Sequence, residues 1–144
     1  MEHDFGKGPE DDLYPNFPVN YLKLDRVPGP DEDWSPVLQA LRDGAFFVTT
    51  GEVLLTNYSV SAGAGTSRTV TFDAEWTFPL AFVEVVSGDG ARVDRQVVRT
   101  TNVAPFSRKH FVIPFDSTGK KWVRVSVWDV AGNGAFVQPR WLNR

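Results

Sequence analysis

From Ala45 to the C-terminus the chain alternates apolar and polar residues with a period of two, the pattern of half-buried β-strands. Segment 69–78 is the clearest case. Val70, Phe72, Ala74, Trp76 and Phe78 fall on one face, and Thr69, Thr71, Asp73, Glu75 and Thr77 on the other. Segments 46–50, 53–62, 81–86, 92–99, 111–115, 122–129 and 135–141 repeat the pattern, separated by turn-forming residues. Residues 61–66 read as a flexible loop, and 87–90 and 116–119 as hairpin turns. Seven or eight short strands with no second helix predict an all-β fold, an antiparallel sandwich.

One segment has helical spacing instead. Ser35 fits an N-cap and Pro36 the first helical position, where a missing N–H costs nothing. Val37, Leu38 and Leu41 make an apolar stripe, and Gly44 fits the left-handed position past the end. Eight residues give about 12 Å of helix, too short to persist without something to pack on. Trp34, just before the cap, is expected to help seat it.

Residues 1–33 form a proline-rich acidic lead-in, or the tail of a preceding domain. They hold Pro9, Pro15, Pro18, Pro28 and Pro30 with acidic runs at Glu10-Asp11-Asp12 and Asp31-Glu32-Asp33, a composition hostile to a helix or central strand. Segment 19–24 alternates and predicts an edge strand. The expected organisation is therefore lead-in 1–33, helix 34–44 and sandwich 45–144.

Composition narrows the function classes. A chain of 144 residues buries roughly two-thirds of its unfolded surface, enough for a core without staples. With 42% hydrophobic and 23% charged residues, global disorder is excluded. Apolar runs are too short for a transmembrane helix or signal peptide, so membrane insertion is not expected. Eighteen acidic against fifteen basic residues argue against a nucleic-acid partner. The absence of cysteine removes disulfides, thiolate metal sites and a cysteine nucleophile. It is compatible with export to a periplasmic or extracellular location and fixes no compartment.

Two stretches carry family resemblances. Trp122-Val123-Arg124-Val125-Ser126-Val127-Trp128-Asp129-Val130-Ala131-Gly132-Asn133-Gly134 resembles the last hairpin of bacterial immunoglobulin-like domains, with alternating valines before an Asp-x-Ala-Gly-Asn turn. The resemblance implies an immunoglobulin-like sandwich with Val123, Val125 and Val127 pointing inward. Leu38-Gln39-Ala40-Leu41-Arg42-Asp43-Gly44-Ala45-Phe46-Phe47-Val48-Thr49-Thr50-Gly51 resembles the helix-to-strand segment near the C-terminal end of PHP-type bacterial metal-dependent hydrolases (CehA/McbA-like branch), where an immunoglobulin-like domain follows the catalytic barrel. Phe82-Val83-Glu84-Val85-Val86 with Gly88-Asp89-Gly90 and Val93 is similar to a hairpin of that appended domain. The hydrolases bind metals through a His-x-His motif, further histidines, a glutamate and a terminal Asp-x-His. This chain has only His3 and His110. The resemblance therefore implies the non-catalytic accessory part of such an enzyme, with no cofactor of its own. Its expected partner is a preceding catalytic domain or another protein domain.

Candidate chemistry lies mostly on segment 122–129. If its valines face inward, Trp122, Arg124, Ser126 and Trp128 face outward, with the tryptophans about 20 Å apart and Trp141 or Trp34 able to join them. Three readings stand: plain packing within the chain, a docking surface for a partner domain, or a platform on which a carbohydrate stacks. Asp129 and Asn133 with backbone carbonyls could bind calcium, but Asp and Asn in a tight turn normally serve the turn. The acids Asp73 with Glu75 and Asp89 with Asp94 would suit glycoside hydrolysis only in a cleft. Outward on a sheet they are solvated. No G-x-S-x-G elbow occurs. The bases Arg108, Lys109 and His110, with Arg92, Arg95 and Arg99, are opposed by the overall acidity. Gly63-Ala64-Gly65 precedes a strand and makes no phosphate cradle. No catalytic residue can be assigned.

Overall fold

Residues 18–62, 64–100 and 103–142 are described by the computed structural model. The period-two segments pack as two antiparallel sheets. The smaller sheet contains β3 (Val53–Ala62), β4 (Ser67–Trp76) and β7 (Ser107–Asp116), in that spatial order. The larger runs from β1 (Val19–Leu22) through β2 (Phe46–Thr49), β9 (Gly134–Val137), β8 (Trp122–Asp129) and β5 (Leu80–Gly88) to β6 (Val93–Arg99). A two-residue strand, β10 (Arg140–Trp141), pairs with β8 next to β9. The molecule is an all-β sandwich, as the alternation predicts.

Alternation also fixes the core. Val70, Phe72, Ala74 and Trp76 of β4 meet Val123, Val125 and Val127 of β8, all buried, with Leu55, Phe111, Ile113, Val83 and Val85 filling in around them. Phe72 and Phe111 are register partners and stack with ring centroids 5.0 Å apart. The Tyr58 hydroxyl donates across the sheets to the Val123 carbonyl at 3.0 Å. Burial pushes the Tyr58 phenol well above its ordinary pKa, so it serves as a neutral donor.

Several boundaries depart from expectation. β4 stops at Trp76, two residues short of expectation; Thr77 still donates to the Glu52 carbonyl and accepts from Phe106 N–H, and Phe78 lies half-exposed in the connection to β5. Residues 116–119 form no hairpin. They carry the chain from the smaller to the larger sheet, pinned where the Ser117 amide and hydroxyl both donate to the Thr66 carbonyl. Segment 135–141 is two strands, divided at Gln138-Pro139, where Pro139 has no N–H to give to a ladder. Of segment 19–24, Val19–Leu22 form the edge strand β1.

The helix α1 (Ser35–Arg42) is capped differently from expectation. Trp34, not Ser35, is the N-cap and offers no side-chain bond. Asp33 takes over, accepting from the Ser35 amide at 2.9 Å and its hydroxyl at 2.5 Å. At the other end Ala45 N–H donates to Ala40 O and Gly44 N–H to Leu41 O, with Gly44 at φ +67°. This is the Schellman closure, which a side chain at Gly44 would strain.

The packing of α1 is the larger surprise. Of the expected stripe, Val37 turns toward Ala40 and is half-buried. At 100° per residue Leu38, Leu41 and the N-cap Trp34 lie within about 60° of one another, and Ala40 lies well off them. Ala40 is the residue that is buried. Trp34 is 48% exposed, Leu38 51% and Leu41 40%. The helix rests on its flank, and the centre of its apolar stripe faces solvent.

Candidate functional site

The outward face of the larger sheet follows from register. Gly88, Val86, Glu84 and Phe82 of β5 stand opposite Trp122, Arg124, Ser126 and Trp128 of β8. On the other side of β8, Phe136 pairs with Ser126, Gly134 with Trp128, and Trp141 with Trp122. The outward set expected on β8 is therefore brought onto one face.

Each tryptophan of β8 is matched to a cross-strand glycine. A Cβ on Gly88 would lie 2.7 Å from Trp122 Cζ2, and one on Gly134 would lie 2.5 Å from Trp128 Cε3. Both indoles occupy space that any side chain would need, which is the close approach that glycine in a strand permits. Trp122 and Trp128 are consequently half-buried, and packing within the chain accounts for part of their role. Trp141 is 54% exposed. Trp34 is tied at the start of α1, where its indole N–H donates to Gly29 O at 3.2 Å.

Between the tryptophans the face is polar. Glu84 points outward yet is buried. Arg95 Nε donates to Glu84 Oε2 at 2.7 Å, a second guanidinium nitrogen donates to the same oxygen, and Ser126 Oγ donates to Oε1 at 2.6 Å. Burial raises the Glu84 pKa, but hydrogen bonds from Ser126, Arg95 and Trp128 and the Arg95 charge outweigh it and hold the carboxyl below its ordinary value. Glu84 is thus an ionised, fully engaged group with no proton to trade.

Beside this network lies a groove of about 380 Å³ lined by Glu84, Arg124, Ser126, Trp128, Phe136, Val137, Gln138 and Pro139. Its origin is local. β8 pairs with β9 over Ser126–Trp128 and with β10 over Trp122–Val123, so the ladder lapses around Arg124 and Val125, opposite the break at Gln138-Pro139. The Arg124 guanidinium lies over the Phe136 ring, 5.2 Å from its centroid. No carboxylate of the described residues forms an ion pair with it.

The remaining candidates have other duties. Asp129 accepts from Ala131 N–H at 2.8 Å, Asn133 N–H at 2.9 Å and Asn133 Nδ2 at 3.0 Å, so its carboxylate builds the β8–β9 turn. No group of three or more potential metal ligands occurs among the described residues. Asp73 lies outward on the smaller sheet. Asn57, at φ +53° in a bulge of β3, donates to it at 2.6 Å, and His110 Nδ1 lies 2.6 Å away. These bonds, from Asn57 first, hold the Asp73 carboxyl below its usual range. Its neighbour Glu75 stands opposite Arg108. Asp89 Oδ1 accepts from the Ala91 and Arg92 amides in the β5–β6 turn, and Asp94 pairs with Lys120. His3 lies outside the described residues.

Sequence reasoning passed over Glu84, Phe136, Gln138 and the two glycines. Glu84 did carry a signal, as a lone carboxylate inside the run Phe82–Val86. Comparison with family models, curated proteins and solved structures finds no match to this chain.

Proposed function

We propose that this chain is a non-catalytic accessory β-sandwich that docks onto a catalytic domain or another protein domain through the stripe Trp34-Leu38-Leu41. The observation that carries the reading is the packing of α1. The sandwich closes its own core, whereas an eight-residue helix and its N-cap Trp34 together leave three large apolar side chains 40% or more exposed. Isolated helices of this length are marginal, and adjacent apolar groups on one helical face mark a contact surface more than scattered ones do. On the sequence resemblance, the partner is a PHP-type metal-dependent hydrolase and the sandwich is immunoglobulin-like.

Sedimentation velocity on the 144-residue chain tests the docking surface. Uncovered apolar stripes should find one another, giving concentration-dependent self-association that the double variant Leu38→Ser, Leu41→Ser abolishes. A wild-type chain that stays monomeric at high concentration would count against the stripe. The partner is tested separately by the gene neighbourhood and continuous reading frame, where a His-x-His barrel is expected upstream.

A second reading, a carbohydrate-binding module, is favoured by one observation. Trp128 and Phe136 line an open groove together with Arg124, Ser126 and Gln138, a mixture of ring faces and hydrogen-bonding groups suited to a polyol. The polar centre of this face also breaks up the apolar patch that protein docking there would need.

A further inference from the structure

We infer that the groove on the outer face of the larger sheet takes an acidic glycan, with Arg124 receiving the carboxylate of a hexuronate unit. The inference rests on the carbohydrate reading of this groove and names its ligand class. Charge decides it. The one carboxylate in the groove, Glu84, already accepts from Arg95 and Ser126, so its charge is neutralised within the sheet. Arg124 has no carboxylate partner among the described residues, and its guanidinium is held over Phe136. A guanidinium stacked on a ring keeps its edge N–H groups free, in the fork geometry that matches a carboxylate.

Trp128 supplies the second element. Gly134 gives its indole a bed with no side chain, which fixes the ring beside the groove. There it can receive the apolar face of a pyranose ring while the hydroxyls meet polar side chains such as Gln138. A peptide ligand is less suited. Extended peptides take much of their affinity from main-chain hydrogen bonds to a sheet edge, and this groove lies on a sheet face. Its volume of about 380 Å³ falls in the ordinary range for a small-ligand site.

Titration of the full 144-residue chain, followed by tryptophan emission and calorimetry, separates the possibilities. The probes are trigalacturonate, neutral galactotriose and poly-glutamate. Trigalacturonate should bind at least roughly tenfold more tightly than the neutral trimer, as expected for one charge-assisted pair. Arg124→Met, which keeps the apolar stem over Phe136, should bring the acidic trimer down to the level of the neutral one. Trp128→Phe should weaken both trimers together. Circular dichroism and the melting midpoint of each variant establish that it is folded. Equal affinity for the two trimers would overturn the uronate assignment and leave the carbohydrate reading standing. Binding of neither would overturn both and leave α1 docking untouched. Poly-glutamate binding as well as trigalacturonate would mean recognition of charge alone and overturn the glycan assignment.

Discussion

The two hydrophobic patterns in this chain meet different fates. In the sandwich, Val70, Phe72, Ala74 and Trp76 of β4 and Val123, Val125 and Val127 of β8 recur at every second position and are buried against the opposite sheet. In α1 the stripe is as regular, yet Leu38 and Leu41, with the N-cap Trp34, are left 40% or more exposed while Ala40 and part of Val37 take the contact. A periodic pattern states that a face needs cover. It does not state that the same chain supplies the cover. Two sheets satisfy each other because the inner face of the three-stranded sheet lies over the central strands β5, β8 and β9 of the larger one. A single short helix at the edge has no such mate, so its pattern points outside the described residues.

The largest expected effect lies in the sandwich. Phe72→Ala removes a fully buried ring stacked on Phe111 and should cost about 3–5 kcal/mol in urea denaturation. Next come the polar and glycine positions of the outer face. Glu84→Ala leaves the buried Ser126 hydroxyl without its acceptor. Arg95 is more than half exposed and recovers solvent, so a loss of about 1–3 kcal/mol is expected rather than the full cost of a broken buried pair. Gly134→Ala forces a methyl to within 2.5 Å of the Trp128 ring and should cost about 1–3 kcal/mol by overpacking. It should also shift tryptophan emission, which Glu84→Ala need not do in the same way.

Acid sharpens the contrast differently. Glu84, Asp73, Asp89 and Asp116 all have lowered pKa values, through the hydrogen bonds and charges described above and, at Asp116, through bonds from Thr118. A depressed folded-state pKa contributes stability that is present above the unfolded value, about 4 for a carboxyl. That stability is lost as pH falls through the folded value. The melting midpoint should hold steady near neutrality and decline below about pH 4, with Asp73→Asn blunting part of the decline. The smallest effect is expected in α1, where Leu38→Ser with Leu41→Ser should change the stability of the chain by no more than about 1 kcal/mol. A loss as large as that of Phe72→Ala would erase the distinction between the two regions.

Strand positions were legible in the sequence wherever one face is buried. The bounds of 53–62 and 122–129 read from alternation coincide with β3 and β8. Inward valines of β8 follow from the same rule. Legibility fails where proline or glycine acts through a partner strand. Pro139 divides the last strand by removing a donor, and Gly88 and Gly134 matter because of the tryptophans across from them. No single strand displays that pairing. Residues 116–119 carry turn chemistry that reads the same whether the next strand pairs or crosses to the other sheet. Glu84 was hidden by its position in a valine-rich run, although burying a carboxylate demands partners, and Arg95 eleven residues later supplies one. For α1 the stripe was legible but its neighbour was not, because amphipathicity gives a direction and no address.

Hydrogen exchange of the backbone amides in the 144-residue chain tests most directly whether α1 lacks a mate. Amides of residues 38–42 should exchange through local opening, orders of magnitude faster than those of 70–76 and 123–127, which open only with the whole fold. Protection of α1 equal to that of β4 and β8 in monomeric protein would show that the helix is held by its own chain and would contradict the docking account.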